Sequence, residues 1–149
     1  MSINWKKISQ FTIPEESVGY LISKISHDWE QQIEVSLLPF NITYLEFMIL
    51  AGVGWLTSNN QLLTQVKLAE FWNVDVMRVS QSAKKLELKG FIIRQAHPLD
   101  TRAKIINLTS QGEKVLSKAI CVVEKLESLF FGESLQSELL PILQNIYQQ

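Results

Sequence analysis

The chain of 149 residues contains one cysteine and two histidines. The lone Cys121 excludes an intramolecular disulfide and fits a reducing compartment. Because Ile120 and Val122 beside it are apolar, we expect Cys121 to be a small core residue rather than a reactive thiol. His27 and His97 form no metal-ligand spacing with it, and the sequence has no phosphate-cradling glycine loop and no nucleophile motif. We therefore expect no enzymatic activity, no metal and no cofactor.

Long apolar runs are also missing. The longest, residues 47–56, is far shorter than the roughly 20 residues that a membrane-spanning helix needs. No apolar stretch follows the lysines near the N-terminus, so we expect no signal peptide. An apolar fraction of 46% over 149 residues is enough for one domain with a sound core. We predict one compact cytoplasmic domain that does not enter the membrane.

The net charge of −1 at first argues against a nucleic-acid partner. The distribution of the charges indicates the opposite. Residues 64–109 contain eight basic and four acidic residues, whereas the rest of the chain contains six basic and eleven acidic residues. A basic middle between acidic flanks is typical of a protein that presents one face to phosphate groups.

Apolar periodicity and capping signals predict the elements of the chain. Helices are expected at residues 16–38, 43–56, 64–72, 75–90, from 110 onward and near 139–147, with strands at 91–96 and 104–108. The spacings of Thr43 with Glu46 and of Ser110 with Glu113 predict capping boxes at the second and fifth helices. Thr64 and Asp75 are expected to cap the third and fourth helices. Pro141 indicates that the last helix either begins just before it or is kinked there. This order predicts a mainly α fold with a small β-hairpin, a winged helix-turn-helix.

The fourth helix carries the first group of candidate DNA contacts. At about 100° per residue, Arg78, Gln81, Ser82, Lys85 and Lys89 share an arc away from its apolar side. Arg78 can read guanine and Gln81 can read adenine in a major groove. Lys85 and Lys89, further along the helix, are expected near phosphate groups. The alternative is an ordinary solvated helix face.

The tip of the hairpin carries the second group. Arg102 and Lys104 are expected at a minor groove, whose negative potential attracts arginine. Asp100 can form a bidentate ion pair that orients Arg102, or the two can form a plain surface ion pair of little energy. The full candidate set for DNA binding is Thr64, Gln65, Arg78, Ser80, Gln81, Ser82, Lys85, Arg94, Asp100, Arg102 and Lys104.

Several motifs now resemble a known family in order and spacing. The run Asp100-Thr101-Arg102-Ala103-Lys104, followed by Leu108-Thr109 and Gly112, resembles the wing signature of MarR-type transcriptional regulators. Further similar stretches are Gly19-Tyr20-Leu21 with His27 and Trp29, Trp55-Leu56, Thr64-Gln65, Leu68-Ala69, Leu86-Glu87 and Lys89-Gly90-Phe91-Ile92. The family often has serine or threonine at Arg78, arginine at Gln81 and a basic residue at Thr101. The family's sequence preference therefore does not transfer, and the wing is expected to bind more weakly.

The resemblance implies a homodimer that binds a near-palindromic double-stranded operator. Residues 1–42 would form an N-terminal segment and dimerisation helix, 43–109 the winged helix-turn-helix DNA-binding region and 110–149 the C-terminal dimerisation helices. It also implies repression that is released by a small aromatic effector. The runner-up function is a winged-helix module that binds protein and has no specific DNA site.

Five side chains are candidates for an effector pocket: Tyr20, His27, Trp29, Phe47 and Trp55. In the family such effectors lie near the first, second and fifth helices. The alternative is that these aromatic side chains pack the core, as aromatic residues at helical spacing usually do.

Overall fold

The computed structural model describes residues 3–58, 62–100 and 102–148. Within these residues it contains α1 (Val18–Leu37), α2 (Tyr44–Thr57), α3 (Gln65–Trp72), α4 (Val76–Leu88), β1 (Ile92–Ala96), β2 (Lys104–Leu108), α5 (Ser110–Phe131) and α6 (Glu133–Tyr147). Short 3₁₀ turns lie at Trp5–Lys7, Pro14–Glu16 and Leu38–Phe40. The mainly α fold with one hairpin is confirmed in the predicted order. Thr101 of the wing motif lies outside the described residues.

Residues next to the helix ends determine where α1 begins and ends and where α2 begins. The Ser17 hydroxyl accepts the backbone N–H of Tyr20 at 3.3 Å at the start of α1. Pro39 lies in the 3₁₀ turn that follows α1. At the start of α2, the Thr43 hydroxyl and the Glu46 carboxylate each accept the other's backbone N–H. This is the predicted capping box.

α2 lies at the centre of the fold and contacts α1, α3, α4, α5 and β2. Its buried residues are Glu46, Phe47, Ile49, Leu50, Gly52 and Val53. Within the described residues no single helix has the length and apolar composition of a membrane span. The bent pair Val18–Phe40 and Tyr44–Thr57 has both, at an angle of 78°. The apolar composition of α2 agrees with its central place in the core.

α3 and α4 form the helix-turn-helix, and α4 is hereafter the reading helix. Thr64 caps α3 with its hydroxyl, and Asn73 turns the chain after α3 with a φ of 50°. Asp75 caps the reading helix by accepting the backbone N–H groups of Met77 at 2.9 Å and Arg78 at 3.1 Å. Both predicted caps are confirmed.

The wing consists of β1, β2 and the loop between them. Ile92 pairs with Leu108 at its base and Ala96 pairs with Lys104 near its tip. The backbone N–H of Ile106 also donates to the carbonyl oxygen of Leu63 at 2.9 Å. The segment before α3 therefore attaches the wing to the helix-turn-helix along β2.

The predicted capping box at Ser110 is wrong by one residue, because Thr109 caps α5. The Thr109 hydroxyl accepts the backbone N–H of Gly112 at 3.0 Å and donates to the carbonyl oxygen of Gly90 at 2.6 Å. Ser110 is the first helical residue. The contact with Gly90 anchors the cap to the chain just beyond the reading helix, which explains why Thr109 is used.

For the C-terminal helices, one expectation is corrected and one of two alternatives is excluded. Cys121 is exposed and is not a core residue, because the buried face of α5 runs through Leu116 and Val123 instead. Pro141 lies inside α6, so the last helix does not begin just before it.

Apolar faces of α1 and α6 remain exposed in the single chain. α1 is buried only at its C-terminal end, through Ile33 and Leu37, and no described residue of α6 is buried. The exposed apolar residues of these two helices include Val18, Leu21, Ile22, Ile25, Leu140, Ile142, Leu143 and Ile146. An apolar surface of this extent is typical of an interaction site.

Candidate nucleic-acid interface

The reading helix presents a polar face to solvent because its opposite side is locked in the core. Val79, Ala83 and Leu86 are fully buried against the rest of the fold. Among the predicted contacts, Arg78, Gln81 and Lys85 are exposed, while Ser80 and Ser82 are half-buried at the edges of the face. An exposed helix face with arginine, glutamine and lysine can hydrogen-bond to base edges and phosphates in a major groove.

Three residues of this face were missed by the sequence prediction. Met77, Lys84 and Leu88 are exposed on the same side as Gln81. The direction opposite to the buried residues, at about 100° per residue, identifies all three. Lys84 adds a cation beside Lys85, and Met77 offers an apolar contact of the kind that a thymine methyl group accepts.

Lys89 turns away from this face. Its ammonium group donates to the Glu46 carboxylate at 2.8 Å and to the carbonyl oxygen of Asn41 at 2.7 Å. Glu46 is only 1% exposed, so Lys89 neutralises a buried charge at the start of α2. The expected phosphate contact of Lys89 is therefore replaced by a contact inside the fold.

A cleft of about 260 Å³ lies between the reading helix, the start of α3 and the wing. It is hereafter the wing cleft. Six predicted contacts line it together: Thr64, Gln65, Ser80, Arg94, Arg102 and Lys104. Arg102 and Lys104 are exposed there. The described ion pairs are Lys89 with Glu46 and Arg94 with Glu87. The charges of Arg102 and Lys104 are thus left for a ligand such as a phosphate backbone.

Arg94 differs from the other cations of the wing cleft because it is engaged within the protein. Its Nε and Nη2 atoms donate to one oxygen of Glu87 at 3.0 and 2.6 Å, and its Nη1 donates to the Gln65 side chain at 3.2 Å. Its backbone N–H donates to the second Glu87 oxygen at 3.2 Å. The Arg94 hydrogen bond holds the pKa of Glu87 below its usual value. The carboxylate therefore stays ionised at neutral pH, and the pair is lost only as the pH falls through that lowered pKa.

The tip of the wing is organised by backbone contacts. The Nδ1 atom of His97 accepts the backbone N–H groups of Leu99 and Asp100, both at 3.2 Å. Asp100 accepts the backbone N–H of Arg102 at 3.0 Å. The expected ion pair of Asp100 with the Arg102 guanidinium is wrong for the described residues, because the carboxylate shapes the turn instead. The Arg102 side chain is thereby left exposed.

The structure does not bring the five effector candidates together. Phe47 is in the core, whereas Trp55 on the same helix is 73% exposed. Trp29 packs on two aromatic rings of α5, with ring centres 5.4 and 5.5 Å away. Tyr20 is exposed near the start of α1. Of the five, His27 lines a separate groove.

That groove, of about 660 Å³, lies between α1, α2 and the helix-turn-helix. Glu30, Glu34, Tyr44, Trp72 and Arg78 are among the side chains that line it. Burial raises the pKa of the Tyr44 phenol, and the negative charge of Glu30 adds to the effect. Because Arg78 belongs to the reading helix, that helix forms part of the wall of the groove.

Comparisons with known proteins agree with this geometry. A model of the MarR family matches residues 42–104. The HTH-type transcriptional regulator YdcH of Bacillus subtilis is 32% identical over 130 residues, which cover 87% of this chain and 88% of that protein. The structure of an S. aureus MepR–DNA complex has a TM-score of 0.75 at 26% identity, covering 89% of this chain and 96% of that chain. A mutant of MarR from E. coli in complex with operator DNA has the same fold, with a TM-score of 0.77 at 21% identity over 97% of this chain and 99% of that one. The chain belongs to the MarR family of transcriptional regulators.

Proposed function

We propose that the protein is a cytoplasmic homodimeric repressor that binds a near-palindromic DNA operator. The observation that carries the proposal is the side-by-side arrangement of two surfaces. The exposed face of the reading helix carries Arg78, Gln81 and Lys85, and the adjacent wing cleft carries Arg102 and Lys104. A major groove about 12 Å wide admits such a helix, and an arginine of the wing suits the neighbouring minor groove.

The dimer in this proposal covers the apolar faces of α1 and α6 with a second copy of the chain. A symmetric dimer places two reading helices about 34 Å apart, one turn of DNA, and this is why the operator is expected to be near-palindromic. Analytical ultracentrifugation tests the assembly. Leu143 is exposed on α6, and Leu143→Glu should shift the protein towards monomer because it places a charge in the apolar interface.

Selection of genomic DNA fragments by the purified protein tests the central proposal. We expect a small set of fragments that share an inverted repeat. Their affinity should fall steeply as salt rises, because bound phosphates release counterions. A protein that selects no fragment would instead favour the winged-helix module that binds another protein.

Arg102→Ala is expected to lower operator affinity about tenfold and to reduce the slope of log affinity against log salt by about two, one for each protomer of the proposed dimer. The reason is that Arg102 is an exposed cation of the wing cleft without an ion-pair partner among the described residues. Fluorescence anisotropy with a labelled operator, over a series of salt concentrations, measures both quantities. Lys118→Ala removes an exposed charge from α5 and serves as the control. Equal affinities of the wild type and Arg102→Ala would refute the role of the wing.

The effector that releases the repressor is proposed to be a small aromatic molecule bound in the groove beside Tyr44 and Trp72. Two observations support this site: its aromatic lining, and the presence of Arg78 from the reading helix in its wall. A ligand there would contact α1 and the reading helix at once. Displacement of labelled operator by a panel of aromatic acids, phenols and amines tests the proposal. Met48 also lines the groove, so Met48→Trp should weaken release without weakening DNA binding.

A further inference from the structure

Arg94 is placed among the cations of the wing cleft, yet its surroundings do not suit a DNA contact. Three of its five N–H groups are taken by Glu87 and Gln65. The side chain is only 10% exposed. Its positive charge is balanced by a carboxylate 2.6 Å away, so little attraction remains for a phosphate. Arg102 and Lys104 in the same cleft are exposed.

The position of Arg94 indicates that it attaches the wing to the rest of the fold. Along β2, the wing is attached to the rest of the fold where Ile106 bonds to Leu63. Arg94 lies on β1 and pairs with Ile106 across the hairpin. It attaches β1 to Glu87 of the reading helix, beside the point where β2 is attached to Leu63. An isolated two-stranded hairpin is only marginally stable. The angle between the wing and the reading helix therefore depends on these two attachments together with the packing of Ile92, Ile105 and Ile106, which are buried in the core.

We propose that Arg94 is a positioning residue for DNA binding, which acts through Glu87 and Gln65 to hold the wing against the reading helix. The inference rests on the proposed function, since it concerns how the wing meets DNA. Without the Arg94–Glu87 pair the wing samples several angles, and only a fraction of molecules presents Arg102 and Lys104 correctly. Apparent affinity falls by that fraction, while the contacts in the bound complex remain the same.

The two possible roles of Arg94 predict opposite effects of changing Glu87. If Arg94 bound phosphate directly, Glu87 would compete with the phosphate, and Glu87→Gln would strengthen binding. If Arg94 positions the wing, Glu87→Gln weakens the pair and therefore weakens binding. The side chain of glutamine has nearly the same shape as that of glutamate, so the substitution mainly removes the charge.

The experiment compares Arg94→Gln, Glu87→Gln and the double variant with the wild type, by anisotropy on the selected operator over a range of salt. Each single variant is expected to bind about fivefold more weakly with an unchanged salt slope. The double variant should bind no more weakly than either single variant, because both changes break one interaction. Thermal unfolding of each variant shows that the protein remains folded.

Two controls separate positioning from charge. Glu70→Gln removes an exposed carboxylate from α3, which reports the plain electrostatic effect. Arg102→Ala reports the loss of slope that a direct contact between a cation and DNA produces. Tighter binding by Glu87→Gln, or a slope lowered by about two in Arg94→Gln, would overturn the inference while leaving the proposed function intact. If the wild type itself selects no DNA, the proposed function and this inference both fail.

Discussion

Gly112→Ala is expected to destabilise the protein by at least about 3 kcal/mol, measured as the free energy of unfolding in urea. A Cβ atom at Gly112 would lie 1.9 Å from the carbonyl oxygen of Phe91 and 2.8 Å from its carbonyl carbon. Both atoms belong to the backbone, so no side-chain rotation relieves the overlap. α5 has to move away from the base of the wing.

That movement would break the anchor of α5. The backbone N–H of Thr109 donates to the same Phe91 oxygen at 3.0 Å, and the Thr109 hydroxyl donates to Gly90 at 2.6 Å. The two hydrogen bonds that attach the start of α5 to the chain just beyond the reading helix are therefore lost together. α5 belongs to the predicted dimerisation region. The variant should therefore bind DNA more weakly than the fraction of molecules that remains folded would account for.

Gly19→Ala is the matched control for this prediction. Gly19 lies in α1, where the nearest atom to an added Cβ is the Ser17 hydroxyl at 3.9 Å. Alanine there should stabilise the protein by about 0.5–1 kcal/mol, because it favours the helix over the unfolded chain. If Gly112→Ala unfolds at the same urea concentration as the wild type, the close packing of α5 on Phe91 does not exist in solution.

Features that depend on neighbouring residues were predictable from the sequence. The caps at Thr43, Thr64 and Asp75 require only a side-chain oxygen next to the first turn of a helix, and all three are present. The cap of α5 was misplaced because Thr109 and Ser110 are equally good caps locally. The hydrogen bond from Thr109 to Gly90, a contact between distant parts of the chain, decides between them.

The candidate site was predictable only in part, for the same physical reason. The charge pattern located the reading face and the wing, but it does not say which cation is paired. Lys89 and Glu46 are 43 residues apart, and Arg94 and Gln65 are 29 residues apart. The burial of the aromatic candidates was not predictable either. α2 is apolar on nearly every side, so periodicity could not distinguish the buried Phe47 from the exposed Trp55.

Lys89→Ala is expected to destabilise the protein by about 3–5 kcal/mol, the cost of leaving a buried charge without its partner. The Oε2 atom of Glu46 accepts from Lys89 at 2.8 Å and from the backbone of Thr43 at 2.9 Å. The Oε1 atom is buried without a hydrogen-bond partner among the described residues. Removal of Lys89 leaves the carboxylate with one backbone donor in a site that water does not reach.

Chemical denaturation of three variants and the wild type tests this. Lys85→Ala removes an exposed lysine of the same helix and should change stability by less than about 0.5 kcal/mol. The double variant Glu46→Gln/Lys89→Met should recover much of the loss, since glutamine still accepts from Thr43 and carries no charge. If Lys89→Ala is no less stable than Lys85→Ala, the pair makes no net contribution. If Lys89→Ala is less stable, the ion pair holds the end of the reading helix to the core. Substitution of Lys89 should then impair DNA binding by shifting the helix, with an unchanged salt slope.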